Sequence, residues 1–314
     1  MTVLYVDSTL SDDQRRRRLF GGDLFVFSPT PHSARLVAFA RELAEQAFAP
    51  HFPPDAQQHL AGTDYVAVLA DLKPTFINHP RCKDLVRDLL GDLGADLSRT
   101  YFDVPRLRTM TSDYLNAGLT LQFDPHRDTW FSAPMAQLNF WIPVYEVEES
   151  NVMAFQQRYF GTGVCNSSGD YDYAEWVRHG RFAAASQVTA ETRRQPRAEQ
   201  EIEGEPDLRV VTPPGGILTF SGAQLHSTVP NTSGRTRFSI DFRVVHLDDI
   251  RTGAGAPNVD SDCRGSCLGD FLRAADLAPL PAELVDSYAA GPGQPVASVP
   301  AQARPVPPGP RPRP

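Results

Sequence analysis

The chain has 314 residues, 41% of them hydrophobic and 22% charged, with a formal charge of −8 and a pI near 5.5. That acidic balance argues against a duplex-nucleic-acid binder, whose affinity rests on a basic face. No apolar run reaches the roughly 18 residues of a membrane span. The ligands expected are therefore small molecules. Four scattered cysteines, Cys82, Cys165, Cys263 and Cys267, give no disulfide framework, and no apolar stretch follows the N-terminus as in a secretory leader. A reducing cytoplasm is the expected compartment. Cys263 and Cys267 have the look of half a zinc site, but no second Cys/His pair follows them.

Thr2 to Val6 and Asp23 to Phe27 read as short strands around Arg15-Arg16-Arg17-Arg18, a charge run expected to be a solvated helix face. From Ser33 to Phe48, Leu36, Phe39, Ala40, Leu43, Ala44 and Ala47 recur at helical spacing, with Ser33 as N-cap and Pro50 as stop. Helical stretches follow near Asp64 to Ile77 and Arg81 to Leu93. After Gly94 the texture becomes strand-like, over Thr100–Phe102, Leu107–Thr111, Met135–Tyr145, Leu208–Val211, Ile217–Phe220 and Arg237–Val245. Residues 1–99 thus read as a mainly helical layer, and 100–250 as a β sandwich carrying an aromatic-rich insert at 151–206, expected to be a lid. All belong to one main domain over 1–290. The proline-rich tail, 291–314, builds neither helix nor sheet.

Non-haem iron needs two imidazoles and a carboxylate on one face of an octahedron, with the other positions open. His126 and Asp128 are two apart, so an extended strand points both the same way. His226 lies beyond a turn and strand, Gly215-Gly216-Ile217-Leu218-Thr219-Phe220, from which a sandwich returns it to the first pair. A second His-x-Asp, His246-Leu247-Asp248, has no histidine after it and reads as a structural decoy. Eleven residues after His226, Arg237 suits the far carboxylate of a dianionic oxo-acid, with Ser239 on the same strand face; Arg235 and Arg243 are its rivals.

Asp124-Pro125-His126-Arg127-Asp128, Pro214-Gly215-Gly216, His226-Ser227 with Pro230-Asn231-Thr232-Ser233, and Arg237-Phe238-Ser239 together resemble the Fe(II)/2-oxoglutarate dioxygenases, closest in style to the phytanoyl-CoA dioxygenase branch. The resemblance spans Thr100 to Val245. It implies a double-stranded β-helix (jelly-roll, cupin-like) core, Fe(II) on His126, Asp128 and His226, 2-oxoglutarate as cosubstrate, O2, and decarboxylation to succinate and CO2. Related halogenases have Ala or Gly at the carboxylate position, so Asp128 favours hydroxylation or another C–H oxidation. The insert after Asn151 departs from that branch, which leaves the substrate open.

Gln137, Asn139 and Trp141 alternate onto one strand face. The two amides are costly to bury unpaired, which makes them candidates for contacts to 2-oxoglutarate. Arg106 and Arg108 share a face of their strand, and Arg127, Trp130 and Trp141 complete the candidates for substrate contact, with Phe131 beside Trp130. The expected reaction is oxidation of a small polar metabolite, with natural-product biosynthesis as an analogy. The alternative is a cupin-like metal-binding isomerase, for which Arg237 has no cosubstrate to hold.

Overall fold

A computed structural model describes residues 2–113, 124–180 and 195–289. The elements run β1 (Leu4–Val6), α1 (Asp12–Phe20), β2 (Leu24–Phe27), α2 (Pro31–Phe48), α3 (Gly62–Asn78), α4 (Pro80–Asp92), β3 (Thr100–Phe102), β4 (Arg106–Met110), β5 (Leu138–Pro143), β6 (Met153–Phe155) and α5 (Tyr173–Glu175). They continue with β7 (Leu208–Arg209), β8 (Ile217–Ser221), β9 (His226–Thr228), β10 (Arg237–His246), α6 (Leu247–Thr252), β11 (Leu272–Arg273) and α7 (Ala282–Ala289).

Eight strands form the large sheet in the order β1-β2-β8-β5-β10-β3-β11, with β4 also pairing β10; β7-β6-β9 form a smaller one. Every pair is antiparallel except β1 with β2. The chain adopts the expected helical layer on a large, mostly antiparallel sheet, in an architecture that mixes helix and sheet. Alternation on β10 explains the layering. Phe238, Ile240, Phe242 and Val244 pack with Phe140 and Ile142 against Leu36, Phe39, Phe76 and Leu89 of the helices. Burying each such side chain contributes roughly 1.5–3 kcal/mol. The opposite face carries Trp141, Leu218 and Phe220, which pack with Val152 and Phe155 of the smaller-sheet side.

Several local readings are corrected. α2 starts earlier than expected: Thr30 is the N-cap, Pro31 occupies the first turn, and Ser33 is the reciprocal partner in a capping box. The insert begins with β6, a true sheet strand, because Ala154 and Phe155 pair with Ser227 and His226. Only half of the arginine run is solvated. Arg15 and Arg16 are buried, the first bonded to Asp12 and the Leu93 carbonyl, the second to Asp12 and Asp249. The expected proline-rich tail lies outside the described residues. Among the described residues no helix is long and apolar enough to cross a membrane.

Arg16 ties α1 to α6 at the end of β10, and its loss leaves half-buried Asp249 without its cation. Arg16→Ala should lower stability by on the order of 3 kcal/mol, read as a shift of the urea midpoint with unchanged slope.

Candidate metal centre

His126 and His226 come together through backbone pairing. The His126 N–H donates to the His226 carbonyl at 2.9 Å, and the His226 N–H donates back at 3.0 Å. Their rings lie 4.5 Å apart, centre to centre. Asp128 completes the group. Contrary to a plain extended reading of His-x-Asp, it opens a 3-10 turn over Asp128–Phe131. The turn swings its carboxylate between the imidazoles, with Oδ1 3.7 Å from His126 Nε2 and 3.9 Å from His226 Nε2. All three ligand atoms lie within 4.8 Å of one another, and this is the metal-capable cluster found among the described residues.

Each ligand is oriented by its other polar atom. His126 Nδ1 faces the Asp124 carbonyl at 2.8 Å, and His226 Nδ1 faces the Gln224 carbonyl at 2.9 Å. A carbonyl only accepts, so both Nδ1 atoms carry the proton and both Nε2 lone pairs face inward. Asp128 Oδ2 accepts from Asn139 Nδ2 at 2.8 Å and Gln137 Nε2 at 3.1 Å, which leaves Oδ1 for a cation. Gln137 also donates to Asn139 Oδ1 and accepts from the Cys267 thiol, so neither amide can flip without losing a partner. Gly222 leaves room for the amide, since a Cβ there would sit 3.3 Å from Gln137 Nε2 and push it back by a few tenths of an ångström.

The charges agree with a cation site. Burial pushes the Asp128 carboxyl up, but the contact with His126 and the charges of Arg243 and the histidines outweigh it and hold the group well below the usual carboxylate range. Burial, followed by repulsion from His126, lowers His226 to about 4, so its imidazole is neutral and able to ligate.

Along β10 the site face carries Arg237, Ser239, Asp241 and Arg243. Register sets Asp241 beside Trp141 and Arg243 beside Asn139. Of the three rival arginines, Arg235 is exposed and paired to Asp55, and Arg243 is bound to Asp103. Arg237 alone lies buried over the Trp141 ring, with one terminal nitrogen bonded to the Asn151 carbonyl. Its Nε and the Ser239 hydroxyl are buried without a hydrogen-bond partner among the described residues. Burial lowers the guanidinium to about 10, with Asp241 opposing the shift and Arg108 adding to it.

Gln137 and Asn139, expected at the cosubstrate, are found on Asp128. Arg127 and Trp130, expected at the substrate, point away from the site. Arg127 bonds Asp260 and the carbonyls of Ala223, Tyr159 and Thr162, and the Trp130 indole donates to Asp260 at 2.8 Å. Fully engaged and fully buried, neither is open to a ligand. The aromatic neighbour of His126 is instead Phe131, at 5.5 Å, with Tyr171 of the insert beyond it. Arg106 pairs with Asp103 and Arg108 with Asp241. The decoy His246 caps α6 by accepting from the Asp248 N–H.

Asp260 had no sequence signal, because it lies in an irregular segment far from the motif. Its two oxygens accept from Trp130, Arg127 and the Val164 N–H, which fixes the turn carrying Asp128. Gln137 and Asn139 were legible as buried amides, but their target was not.

No family model and no curated protein matches this chain. Among solved structures it is similar to EvdO2 from Micromonospora carbonacea var. aurantiaca, at 14% identity over 77% of this chain and 93% of that one, with a TM-score of 0.45. The same protein complexed with 2-oxoglutarate gives 12% identity, the same coverage and a TM-score of 0.45. SnoN, a non-haem alpha-ketoglutarate-dependent epimerase from nogalamycin biosynthesis, gives 14% identity over 86% and 97% of the two chains and a TM-score of 0.36.

Two outcomes are expected. Asn139→Ala should weaken Fe(II) or Co(II) binding by about 10–100-fold, measured by calorimetry, without altering the fold. Asp260→Ala, which strands the buried Arg127 cation, should cost about 3–5 kcal/mol of stability, measured by chemical denaturation.

Proposed function

We propose that the chain is an Fe(II)- and 2-oxoglutarate-dependent oxygenase acting on a C–H bond of a small polar metabolite. The observation that carries this reading is the pairing of two features on one side of the large sheet. One is a facial set of two imidazoles and one carboxylate, each pre-oriented by its second polar atom. The other is a buried arginine with unpaired Nε beside an unpaired serine hydroxyl on the adjoining strand face. A buried donor left without an acceptor costs about 1–3 kcal/mol; an oxo-acid carboxylate on Arg237 and Ser239 supplies the missing acceptors.

His126, Asp128 and His226 would hold the iron, and Arg237 with Ser239 would hold the distal carboxylate of 2-oxoglutarate. Bound together with O2, these groups supply oxidative decarboxylation to succinate and CO2 and the oxidising power for substrate. The remaining residues orient and exclude. Gln137 and Asn139 hold Asp128 to one coordinating oxygen. Trp141 supports the Arg237 guanidinium from below, and Phe131 with Tyr171 forms an apolar screen beside His126. Asp128 fills the position that a halide takes in halogenases, which favours an oxygenase outcome.

Purified protein with Fe(II) should bind 2-oxoglutarate anaerobically and, in air, convert it to succinate. Arg237→Ala should raise the dissociation constant about 100-fold while Fe(II) affinity stays within a few-fold. Asp128→Ala should weaken iron binding and abolish oxygenase turnover. Iron binding with no 2-oxoglutarate binding in the unaltered protein would sink the oxygenase reading in favour of a metal-dependent isomerase.

A further inference from the structure

We propose that Asn151 is a positioning residue for the cosubstrate: it closes the turn 148–151, whose last carbonyl aims the Arg237 guanidinium and leaves one edge of that group open to the distal carboxylate of 2-oxoglutarate. The identity of the ligand rests on the oxygenase reading.

The turn lies between β5 and β6, and two hydrogen bonds between its first and last residues close it. The Asn151 N–H donates to the Glu148 carbonyl at 3.0 Å, and the Glu148 N–H donates to Asn151 Oδ1 at 2.9 Å. The buried Asn151 side chain thus does for this turn what a reciprocal cap does for a helix. Two outside contacts anchor it. Arg209 of β7 donates to the Glu149 carbonyl at 3.2 Å. One residue past the turn, the Val152 carbonyl accepts from the Val229 N–H at 3.0 Å, next to the register that sets Phe155 opposite His226. The Asn151 carbonyl therefore has a fixed place relative to the strand that carries a metal ligand.

That carbonyl accepts from Arg237 Nη1 at 2.9 Å and is the acceptor the guanidinium has among the described residues. Asp241, on the same strand face, is taken by Arg108 at 2.8 Å. The type of acceptor matters. A carboxylate would neutralise the cation and compete with an incoming anion, whereas a neutral carbonyl orients the group and leaves its charge available. The nitrogen matters too. Nη1 lies off the edge that Nε shares with Nη2, so occupying it keeps that edge intact for two parallel hydrogen bonds to one carboxylate. The Trp141 ring, centred 5.7 Å from the guanidinium carbon, supports the plane, and Nε is buried with no acceptor among the described residues. An arginine held in this way before the ligand arrives gives up little further rotamer freedom on binding, so its hydrogen bonds count more fully toward affinity.

The test titrates the anaerobic, Fe(II)-loaded protein with 2-oxoglutarate and separately with oxalate, read by calorimetry. Oxalate chelates a metal through adjacent carboxylates and has no distal one to reach Arg237. Asn151→Ala should weaken 2-oxoglutarate about five-fold or more, with oxalate and Fe(II) affinities within about two-fold of the unaltered protein. Arg209→Ala loosens the same turn from an exposed position, so it decides the matter even if the buried Asn151 variant fails to fold. It should weaken 2-oxoglutarate about two-fold and leave oxalate as it is. In an Arg237→Ala background, Asn151→Ala should have no further effect on 2-oxoglutarate, because both act through one contact. Unchanged 2-oxoglutarate affinity in the turn variants, an equal loss for oxalate, or effects of Asn151→Ala and Arg237→Ala that simply add would each overturn the inference and leave the oxygenase reading standing. No binding of 2-oxoglutarate by the unaltered protein would overturn both.

Discussion

Everything at this centre depends on two backbone hydrogen bonds, His126 to His226 and back, that join segments far apart in the chain. Side-chain contacts alone would leave two imidazoles to find each other against the conformational freedom of both segments. Main-chain pairing fixes their separation before any cation arrives. β6 reinforces the pairing from the other side, since Phe155 opposes His226 in the smaller sheet. The 3-10 turn then adds the carboxylate, and the Asp260 anchor on Arg127 and Trp130 keeps that turn in place.

Electrostatics are arranged in the same layered manner. The Asp128 charge is taken up by amides on one oxygen and by the flanking cations at longer range, Arg243 Nε lying 3.8 Å from Oδ2. Arg243 is in turn held by Asp103, and Asp103 by Arg106, so the metal ligand connects through alternating charges to the far edge of the sheet. Such a chain resists rearrangement because moving any member leaves a buried charge without its counterpart.

Much of this was legible in the sequence. His126, Asp128 and His226 were legible as residues that a sandwich brings together, and they do cluster; period-two alternation predicted which residues of β5 and β10 share one face. What was not legible depends on contacts between distant segments. Gln137 and Asn139 read correctly as buried amides, but only the fold shows that Asp128, nine and eleven residues earlier, receives them. Trp130 and Phe131 are adjacent and chemically alike, and the turn decides which faces His126 and which faces Asp260. Arg15 and Arg16 read as solvated because the carboxylate that buries Arg16, Asp249, lies at the opposite end of the chain.

The insert is closed at its base. The Ser167 N–H donates to the Arg197 carbonyl, the Glu199 N–H donates to the Cys165 carbonyl, and just ahead of them the Val164 N–H is fixed on Asp260. Since closure entropy grows only with the logarithm of loop length, the loop can lengthen or shorten beyond Tyr173, which is itself tied to the Arg264 carbonyl and to Asp270, at little cost to the rest of the fold. A change of length beyond Tyr173 would leave the His126–His226 pairing and the turn that carries Asp128 as they are, so the loop and the three-residue cluster can vary on separate parts of one chain.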